Sequence, residues 1–506
     1  MQKRNTMQRD LINQAVEQHA HQQPMQMALR GSETSLTYAE LHTAIQGQVK
    51  VWDTFFSNQP PTMALAVENH PAWVVLDLAA LKCQIPLIPL PFFFSPAQWL
   101  HAMQDAGVGV LVTDRPQLFA PLLAGKIANQ TQFELAGKTL TQFVLQAQEK
   151  VDLPADTVKI TYTSGTTGNP KGVCLSVNNM LNVAISIAEV TKMPSGYVHL
   201  NVLPLATLLE NVAGVYTSLL ACATCVLLPS SELGYSGTSG LDVEKLLVTL
   251  KETQASTAIC TPELLHALVA HIETGACTPS DLRFLAVGGA SVSPALLRRA
   301  QQLSIPVYEG YGLSECASVV ALNVPTMNKI GSVGKVLPHV KVEFTDDHEI
   351  IVTGNACLGY VGQQHTQSNS FYTGDIGYLD EDDYLIISGR KKNVFITSFG
   401  RNVSPEWVER ELRMSPHIAQ AALFGEARPW NVAVIAPCMR ATAAQIEAAV
   451  QAVNKCLPDY ARITRWISAN EPFSMDNQQL TSNSRNRRDT IWQHYQNKIN
   501  ALYEGK

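Results

Sequence analysis

The sequence predicts an α/β protein: a large N-terminal domain of doubly wound sheets with a small β-barrel-like part, followed by a small α+β C-terminal domain. The chain has 506 residues, enough for three domain-sized units at about 150 residues each. In the first part, short apolar, β-branched runs alternate with helix-like stretches, a rhythm typical of parallel sheets covered by helices. The pattern changes near residue 330 and again after residue 390, which indicates two further structural units.

The doubly wound part is predicted to extend to about residue 325. Five runs are expected to be strands: TMALAVEN (62–69), VGVLVTD (108–114), VKITYTS (158–164), ASTAICT (255–261) and RFLAVGG (283–289). The longest apolar stretch, residues 212–229, is about as long as a short transmembrane helix. Thr217, Ser218 and Thr224 interrupt it and a turn follows it, so we predict a buried helix that runs into a buried strand.

Residues 330–390 are predicted to form antiparallel ribbons. Apolar residues alternate in GSVGKVLPHVKVEFTDDHEIIVTG and FYTGDIGYLDEDDYLIISGR around the acidic turns DDHE and DEDD. The large domain is therefore predicted to comprise residues 1–390. Residues 391–506 are predicted to form the α+β domain, in which Ser404 caps a helix that Pro405 opens.

The charge balance restricts the classes of partner. Lys and Arg number 37 against 43 Asp and Glu, a formal net charge of −6. The whole protein therefore lacks the net positive charge that would attract nucleic acid or an acidic membrane. We expect no nucleic-acid partner, and any polyanion must be bound locally. Peripheral membrane contact stays open, because an apolar substrate could be collected from a bilayer, and so does the oligomeric state.

The cysteines and the N-terminal segment predict a cytoplasmic protein. The ten cysteines lack the spacing of a disulfide framework, and the first residues contain no apolar run of the kind that a secretory signal needs. Cys222 and Cys225 form a CxxC pair inside the apolar run LLACATCVLL, with no neighbouring His. We expect both to be core residues rather than metal or redox groups.

The segment ITYTSGTTGNPKGVCLS, residues 160–176, contains the largest group of residues suited to binding an anion. Its small residues allow backbone N–H groups to approach an anion, its hydroxyls add donors, and Lys171 supplies a charge. A Walker A loop would need Gly at position 170 and Ser or Thr at position 172, where Pro170 and Gly172 stand. The segment therefore predicts a phosphate-binding loop of another type.

The stretch YTSGTTGNPKG resembles the phosphate-binding loop of the adenylate-forming (AMP-binding) superfamily. Three further segments resemble that family's motifs in their usual order: YEGYGLSE (308–315), YTGD (372–375) and SGRKKNVFITSFGRNVSPEWVE (388–409). The resemblance runs from about residue 30 to the C-terminus and is closest to long-chain fatty acyl-CoA synthetases. It implies that a carboxylate attacks the α-phosphate of ATP, with Mg²⁺, and that coenzyme A then displaces AMP from the acyl-adenylate. It also implies that the small C-terminal domain is mobile.

The resemblance assigns the nucleotide to particular residues. The triphosphate would be held by Thr163, Ser164, Gly165, Thr166, Thr167, Gly168 and Lys171. Adenine would lie between two loops, with the Tyr311 ring stacked on it: Gly288, Gly289 and Ala290, then Gly310, Tyr311 and Gly312. Ser314 would meet the α-phosphate and Glu315 would hold Mg²⁺, while Asp375 and Arg390 would bind the ribose. Without the other motifs, a turn-capping aspartate at Asp375 and a surface arginine at Arg390 would be the favoured interpretations; the other motifs reverse that preference.

Two positions are assigned to the movement of the small domain. Lys392 falls at the family's hinge, where the domain is expected to swing between an adenylating and a thioester-forming pose. Taken alone, Lys392 could equally be a surface charge. Gly400 corresponds to a loop that would line the tunnel of the thiol in the second pose.

One catalytic position departs from the family. In the family that this chain resembles, the small domain normally ends in a segment like LTPNGKxxR, whose lysine bridges the substrate carboxylate and the adenylate. Here residues 480–488 read LTSNSRNRR, with Arg485 in the place of that lysine. Arginine keeps the cation and can grip a carboxylate through two hydrogen bonds, but it is bulkier and planar. Either Arg485 does the work of the lysine, or adenylation is slow or lost.

The expected acyl pocket carries the second departure. LPLATLLENVAG (203–214) resembles the LPLxHxxE segment of long-chain fatty acyl-CoA synthetases, with Glu210 matching their Glu and Thr207 replacing their His. The pocket wall is expected to include Leu205, Thr207, Val212 and Tyr216. Loss of the His predicts a wider or differently gated pocket.

Three hypotheses follow. The first is an acid–thiol ligase, an ATP-dependent medium- or long-chain fatty acyl-CoA ligase. The second keeps the adenylation step but passes the acyl group to an acyl carrier protein or an amine. The third is a catalytically degenerate nucleotide-binding protein, motivated by Arg485 and opposed by the intact Lys171, Glu315, Asp375 and Arg390.

Overall fold

The structure is a computed structural model that describes residues 11–56, 61–146, 151–163, 170–236, 240–363, 368–481 and 485–504. Strands of the α/β part are β1 (Met27–Arg30), β2 (Ser35–Thr37), β3 (Thr62–Ala66), β4 (Leu87–Pro89), β5 (Val108–Thr113), β6 (Ile127–Leu135), β7 (Lys138–Leu145), β8 (Lys159–Thr163), β9 (Lys171–Leu175), β10 (Val198–Leu200), β11 (Thr224–Val226), β12 (Tyr235–Ser236), β13 (Gly240–Leu241), β14 (Thr257–Cys260), β15 (Phe284–Val287), β16 (Val307–Tyr311), β17 (Ala321–Leu322) and β18 (Lys335–Val336). Its helices are α1 (Leu11–Gln22), α2 (Tyr38–Phe55), α3 (Pro71–Lys82), α4 (Pro96–Asp105), α5 (Pro116–Phe119), α6 (Val177–Thr191), a π-helix (Glu210–Tyr216), α7 (Thr217–Leu220), α8 (Val243–Glu252), α9 (Pro262–Glu273), α10 (Pro294–Gln302) and a 3₁₀ turn (Ser314–Cys316).

The remaining elements belong to the antiparallel part and the small domain. The antiparallel part has β19 (Lys341–Phe344), β20 (Glu349–Thr353), β21 (Gly359–Tyr360), β22 (Ser370–Leu379) and β23 (Leu385–Arg390). The small domain has β24 (Phe395–Ile396), β25 (Asn402–Val403), α11 (Pro405–Leu412), β26 (Ile418–Phe424), β27 (Asn431–Pro437), α12 (Ala443–Cys456), a 3₁₀ turn (Asp459–Ala461), β28 (Ile463–Ser468) and α13 (Arg488–Tyr503).

Two large sheets confirm the predicted α/β class. One has nine strands in the order β18-β17-β16-β15-β14-β10-β11-β1-β2, and the other has eight in the order β21-β9-β8-β4-β3-β5-β7-β6. All five predicted runs form strands, namely β3, β5, β8, β14 and β15. Strands β14, β15 and β16 are parallel, and so are β4, β3 and β5. The carboxyl ends of parallel neighbours therefore meet at one edge of each sheet.

The long apolar stretch folds as the sequence predicts. The π-helix continues into α7 and, after a short turn, into the buried strand β11. In the part of the chain that the structure describes, no helix has the length and apolar character needed to cross a bilayer.

The antiparallel part is interwoven with the large sheets. Strands β19, β20, β22 and β23 form a four-stranded antiparallel sheet, whose two hairpins turn at the predicted acidic segments. However, β18 joins the nine-stranded sheet and β21 joins the eight-stranded sheet. Residues 330–390 are therefore anchored to both sheets of the α/β part.

The small domain has its own core. Strands β26, β27 and β28 form a three-stranded sheet, and β24 pairs with β25. Helix α11 begins at Pro405, as predicted, and buries Val408 and Leu412 against residues such as Leu423 and Ile435. The domain follows β23 after a turn at residues 391–393.

A buried polar cluster links α3, β8 and the π-helix. Lys159 and Asp77 form an ion pair with side chains 0% and 1% exposed. The Lys159 Nζ also donates to Asn211 Oδ1 at 3.0 Å. The second Asp77 oxygen accepts from Asn211 Nδ2 at 3.0 Å and from the Tyr216 hydroxyl at 2.7 Å. These contacts fix the π-helix against the strand that leads into the predicted phosphate loop.

Candidate functional site

The predicted phosphate loop joins two antiparallel strands. Ser164, Gly165, Thr166, Thr167 and Gly168 lie outside the described residues. The flanking residues Thr163 and Lys171 face each other as the last register pair of β8 and β9, so the loop is closed at its base. The ring nitrogen Nε2 of His101 lies 3.0 Å from the carbonyl oxygen of Pro170, beside that base.

Lys171 lies near Tyr360, which contacts the predicted metal residue. Its Nζ is 5.7 Å from the centroid of the Tyr360 ring, and the Tyr360 hydroxyl donates to Glu315 Oε1 at 3.1 Å. Glu315 belongs to the 3₁₀ turn that also contains Ser314. The expected phosphate cation and the expected metal carboxylate thus both contact Tyr360, and Ser314, the expected α-phosphate residue, directly precedes Glu315.

The donor set fits Mg²⁺ that arrives bound to the triphosphate. Glu315 offers a hard carboxylate oxygen, and Mg²⁺ is commonly held by one or two carboxylates together with substrate phosphates. Among the residues that the structure describes, no group of three or more His, Cys, Asp or Glu side chains could hold a metal by itself. Cys222 and Cys225 are free, buried core residues, as predicted.

The two predicted adenine loops follow adjacent parallel strands. Residues Gly288–Ala290 come after β15, and Gly310 and Tyr311 end β16, with Val287 paired to Glu309. Their proximity therefore follows from the sheet order. A Cβ on Gly312 would lie 1.6 Å from the carbonyl oxygen of Ser318, so this position excludes any side chain.

Asp375, Arg390 and Tyr311 form one hydrogen-bonded group. Asp375 and Arg390 are register partners on β22 and β23, and Arg390 Nε lies 2.6 Å from Asp375 Oδ1. The Tyr311 hydroxyl donates to Asp375 Oδ2 at 2.6 Å, which fixes its ring beside the glycine loops. Burial raises the pKa of Asp375, while Arg390, the Tyr311 bond and Arg485 act in the opposite direction. Both oxygens already accept protein donors, so ribose hydroxyls would share or replace them.

Two predicted catalytic residues of the small domain reach this group. Arg485 donates through Nη2 to the carbonyl oxygen of Gly289 at 2.9 Å, and its charge interacts with Asp375 and Glu315. Lys392 lies in the turn after β23, where burial lowers its pKa, and the charges of Arg390 and Arg485 lower it further. The small domain thus places the Arg485 guanidinium beside the predicted nucleotide site.

The predicted acyl pocket requires a correction. Leu205 and Thr207 line the cleft that continues from the nucleotide site. Val212 and Tyr216 are fully buried in the main core, do not line the cleft, and are therefore not wall residues. The reason is the π-helix, which turns Tyr216 toward Asp77. The described apolar lining comes from other residues of the same region: Ile187, Met193, Val202, Leu203, Leu208, Leu209, Ala213 and Val319.

A buried hydrogen-bond network supports this wall. Glu210 is fully buried and accepts from His199 Nε2 at 2.9 Å, Asn201 Nδ2 at 2.8 Å and the Leu203 backbone N–H at 3.3 Å. Glu210 thus holds the backbone at Leu203, two residues before Leu205, by a hydrogen bond. His199, which sequence reasoning missed, lines the cleft as well.

Comparisons with known proteins identify the family. The family model described as "AMP-binding enzyme" matches residues 16–361, and the model described as "AMP-binding enzyme C-terminal domain" matches residues 392–506. The chain belongs to the AMP-binding enzyme family.

Relatives of this AMP-binding enzyme include ligases for different acids. The long-chain-fatty-acid–CoA ligase FadD15 of Mycobacterium bovis is 25% identical, over 85% of this chain and 86% of its own length. The 2-succinylbenzoate–CoA ligase of Bacillus licheniformis is 27% identical, over 81% and 86%. The o-succinylbenzoate CoA synthetase of Bacillus subtilis, solved with the acyl-adenylate intermediate OSB-AMP, has a TM-score of 0.75 and 22% identity, covering 94% of this chain and 97% of that one. The relatives support an adenylate-forming acyl-CoA ligase activity and leave the acid open.

The AMP-binding enzyme also contains a buried carboxyl group beneath the predicted adenine loops that sequence reasoning missed. Glu309 lines the cleft, is 7% exposed, and accepts from the backbone N–H of Val292 at 3.4 Å. Burial raises its pKa to about 8, while Arg410 and the Val292 N–H oppose this shift. The sequence signal that could have identified Glu309 is its position directly before Gly310 in the motif YEGYGLSE.

Glu309 should make stability depend on pH. Its pKa rises from 4.5 to about 8 on folding, so between these values the folded protein holds a proton that the unfolded chain has released. The free energy of unfolding should therefore fall as the pH rises through this interval. Glu309→Gln should flatten the dependence by up to about 1.4 kcal/mol per pH unit. Thermal unfolding of both proteins at several pH values measures this, and parallel curves would contradict it.

Proposed function

We propose that this AMP-binding enzyme is an ATP-dependent acid–thiol ligase that activates a medium- or long-chain fatty acid and transfers the acyl group to coenzyme A. The observation that carries the proposal is the position of Arg485, whose guanidinium contacts Gly289 and interacts with Asp375 and Glu315. A cation there can neutralise charge at the junction between the substrate carboxylate and the α-phosphate.

In the first half-reaction, a carboxylate oxygen attacks the α-phosphorus and pyrophosphate leaves with its bonding electrons. Tyr311 and the glycine loops orient adenine, and Asp375 with Arg390 orients the ribose, so that the attack is in line. Lys171 and Arg485 supply positive charge. Glu315 would hold Mg²⁺, which would supply positive charge to the phosphates.

In the second half-reaction, the thiolate sulfur of coenzyme A attacks the acyl carbon and AMP leaves. We propose that the small domain turns about Lys392 between the two steps. The turn after β23 is compact: the backbone N–H groups of Asn393 and Val394 both donate to the carbonyl oxygen of Arg390, at 3.0 and 2.9 Å. Few residues would then absorb the rotation.

The apolar cleft wall supports a fatty acid as the substrate. Leu205, Leu208 and Val319 line it together with Thr207, which stands where the resembling segment of long-chain fatty acyl-CoA synthetases has a larger His. An alkyl chain would gain about 0.8 kcal/mol for each buried methylene group. Thioester formation should be measured across straight-chain acids of increasing length and across aromatic acids. Higher kcat/KM with longer chains supports the proposal, whereas a preference for aromatic acids would overturn the fatty-acid assignment.

Lys392→Pro should separate the two half-reactions. Proline fixes its own φ and restricts Lys391 before it, so the turn can no longer change conformation freely. We expect thioester formation to fall about tenfold or more and adenylation to change by less than about threefold. The measurements are acid-dependent ATP–pyrophosphate exchange and conversion of purified acyl-adenylate with coenzyme A. Lys392→Ala is the matched control, and equal losses in the proline variant would rule out the hinge role.

A further inference from the structure

Helix α11 of the small domain contacts the segment that follows the first adenine loop. Arg410 donates through Nη1 to the hydroxyl of Ser291, and the hydroxyl of Ser293 donates to Glu411 Oε2 at 3.2 Å. Arg410 Nε and Glu411 Oε1 lie 3.2 Å apart, with side chains 18% and 20% exposed. The four residues form a continuous chain of polar contacts between the two domains.

This chain of contacts acts on the adenine loop itself. Ser291 follows Ala290 directly, and Ser293 is buried and accepts from the Ala295 backbone N–H at 3.2 Å, which caps α10. Arg485 contacts the same segment at the Gly289 carbonyl oxygen. The small domain therefore contacts residues 289–293 at three points.

The Arg410 charge also reaches beneath the loop. It acts on Glu309, lowering the pKa that burial raises, and Glu309 accepts from Val292 between the two serines. A displacement of Arg410 would thus disturb the loop from both its hydroxyl side and its buried side.

Other contacts between the domains avoid the loop. Arg413 pairs with Glu263 at 3.2 Å, with side chains 37% and 54% exposed, in the first turn of α9. Met414 packs against the core of the nine-stranded sheet region. These contacts join the domains without touching residues 288–293, so Arg413 provides a comparison within the same interface.

We propose that Arg410 and Glu411 are positioning residues for adenylation: they hold the adenine loop in the pose in which Arg485 faces the nucleotide, and they release it when the small domain turns. This inference rests on the proposed function, because it requires two half-reactions and a moving domain. Breaking the contacts should impair the step that needs the loop and leave the other step intact.

The test measures both half-reactions in Arg410→Ala and Glu411→Gln. We expect kcat/KM for ATP in acid-dependent pyrophosphate exchange to fall about tenfold, through a higher KM, because one charge-assisted hydrogen bond is lost. Conversion of purified acyl-adenylate with coenzyme A should stay within about twofold of the unmodified protein. Arg410→Lys should recover part of the loss, and Ser291→Ala combined with Arg410→Ala should be no worse than Arg410→Ala alone.

Controls distinguish positioning from general damage. Arg413→Ala removes an exposed contact of the same interface, and Arg465→Ala removes an exposed arginine on β28; both should change exchange by less than about twofold. Equal losses in both half-reactions of Glu411→Gln, or unchanged exchange in Arg410→Ala, would overturn the inference alone. Absence of exchange in the unmodified protein would overturn the proposed function and this inference together. If Arg410→Ala does not fold, Arg410→Lys and Glu411→Gln decide the question.

Discussion

Arg485→Met should lower acid-dependent ATP–pyrophosphate exchange by about 10²–10³-fold, the loss typical of removing one group that stabilises transition-state charge. The methionine keeps much of the apolar volume but removes the cation that reaches Gly289 and acts on Asp375 and Glu315. Charge would then develop at the carboxylate and α-phosphate without this partner. The rate of exchange at saturating ATP and acid is the measurement.

Two comparisons make this prediction specific. Arg485→Lys restores the residue that the family usually has there and should retain most of the activity, whereas Arg465→Met, at an exposed site, should have almost no effect. If Arg485→Met kept full exchange, another group would supply the charge and the assigned role would be wrong.

Lys159→Met should destabilise the large domain by about 3–5 kcal/mol, the cost typical of removing one partner from a buried ion pair. Lys159 is 0% exposed and Asp77 is 1% exposed, so the variant leaves a carboxylate without its cation in the core. The π-helix should loosen too, because Asn211 and Tyr216 depend on the same carboxylate. Chemical unfolding followed by a signal from the large domain measures the loss.

The matched control is an exposed lysine with two acidic partners. Lys329 pairs with Asp380 and Asp382, each at 2.8 Å, and is 42% exposed, so Lys329→Met should lower the free energy of unfolding far less than Lys159→Met does. A double variant, Asp77→Leu with Lys159→Met, should recover part of the stability because no unpaired charge remains. If Lys159→Met were no more harmful than Lys329→Met, the cluster would not be a stabilising element.

Much of the fold was predictable because its strands have a strong local pattern. Apolar runs such as 108–114 and 283–289 form strands, and parallel order then places the loops after β15 and β16 side by side. The β6–β7 hairpin was not predicted, because β6 is mostly exposed and lacks the apolar run that marked the other strands.

The site was predictable where sequence neighbours carry the chemistry and was missed where distant residues meet. The motifs named Tyr311, Asp375 and Arg390, and the first and last of these both contact Asp375. Tyr360 reaches Glu315 from a separate strand, which no local pattern indicates. Val212 and Tyr216 were misplaced because an apolar run does not reveal which side faces the cleft, and a π-helix changes the facing of residues along it.

The most direct test of the account is acid-dependent ATP–pyrophosphate exchange by the unmodified protein, measured across a panel of acids with and without coenzyme A. We predict exchange that requires a straight-chain carboxylic acid, together with AMP and acyl-CoA formation when coenzyme A is added. Exchange without consumption of coenzyme A would redirect the transfer step to a carrier protein or an amine. No exchange with any acid would contradict the ligase activity and leave a nucleotide-binding protein.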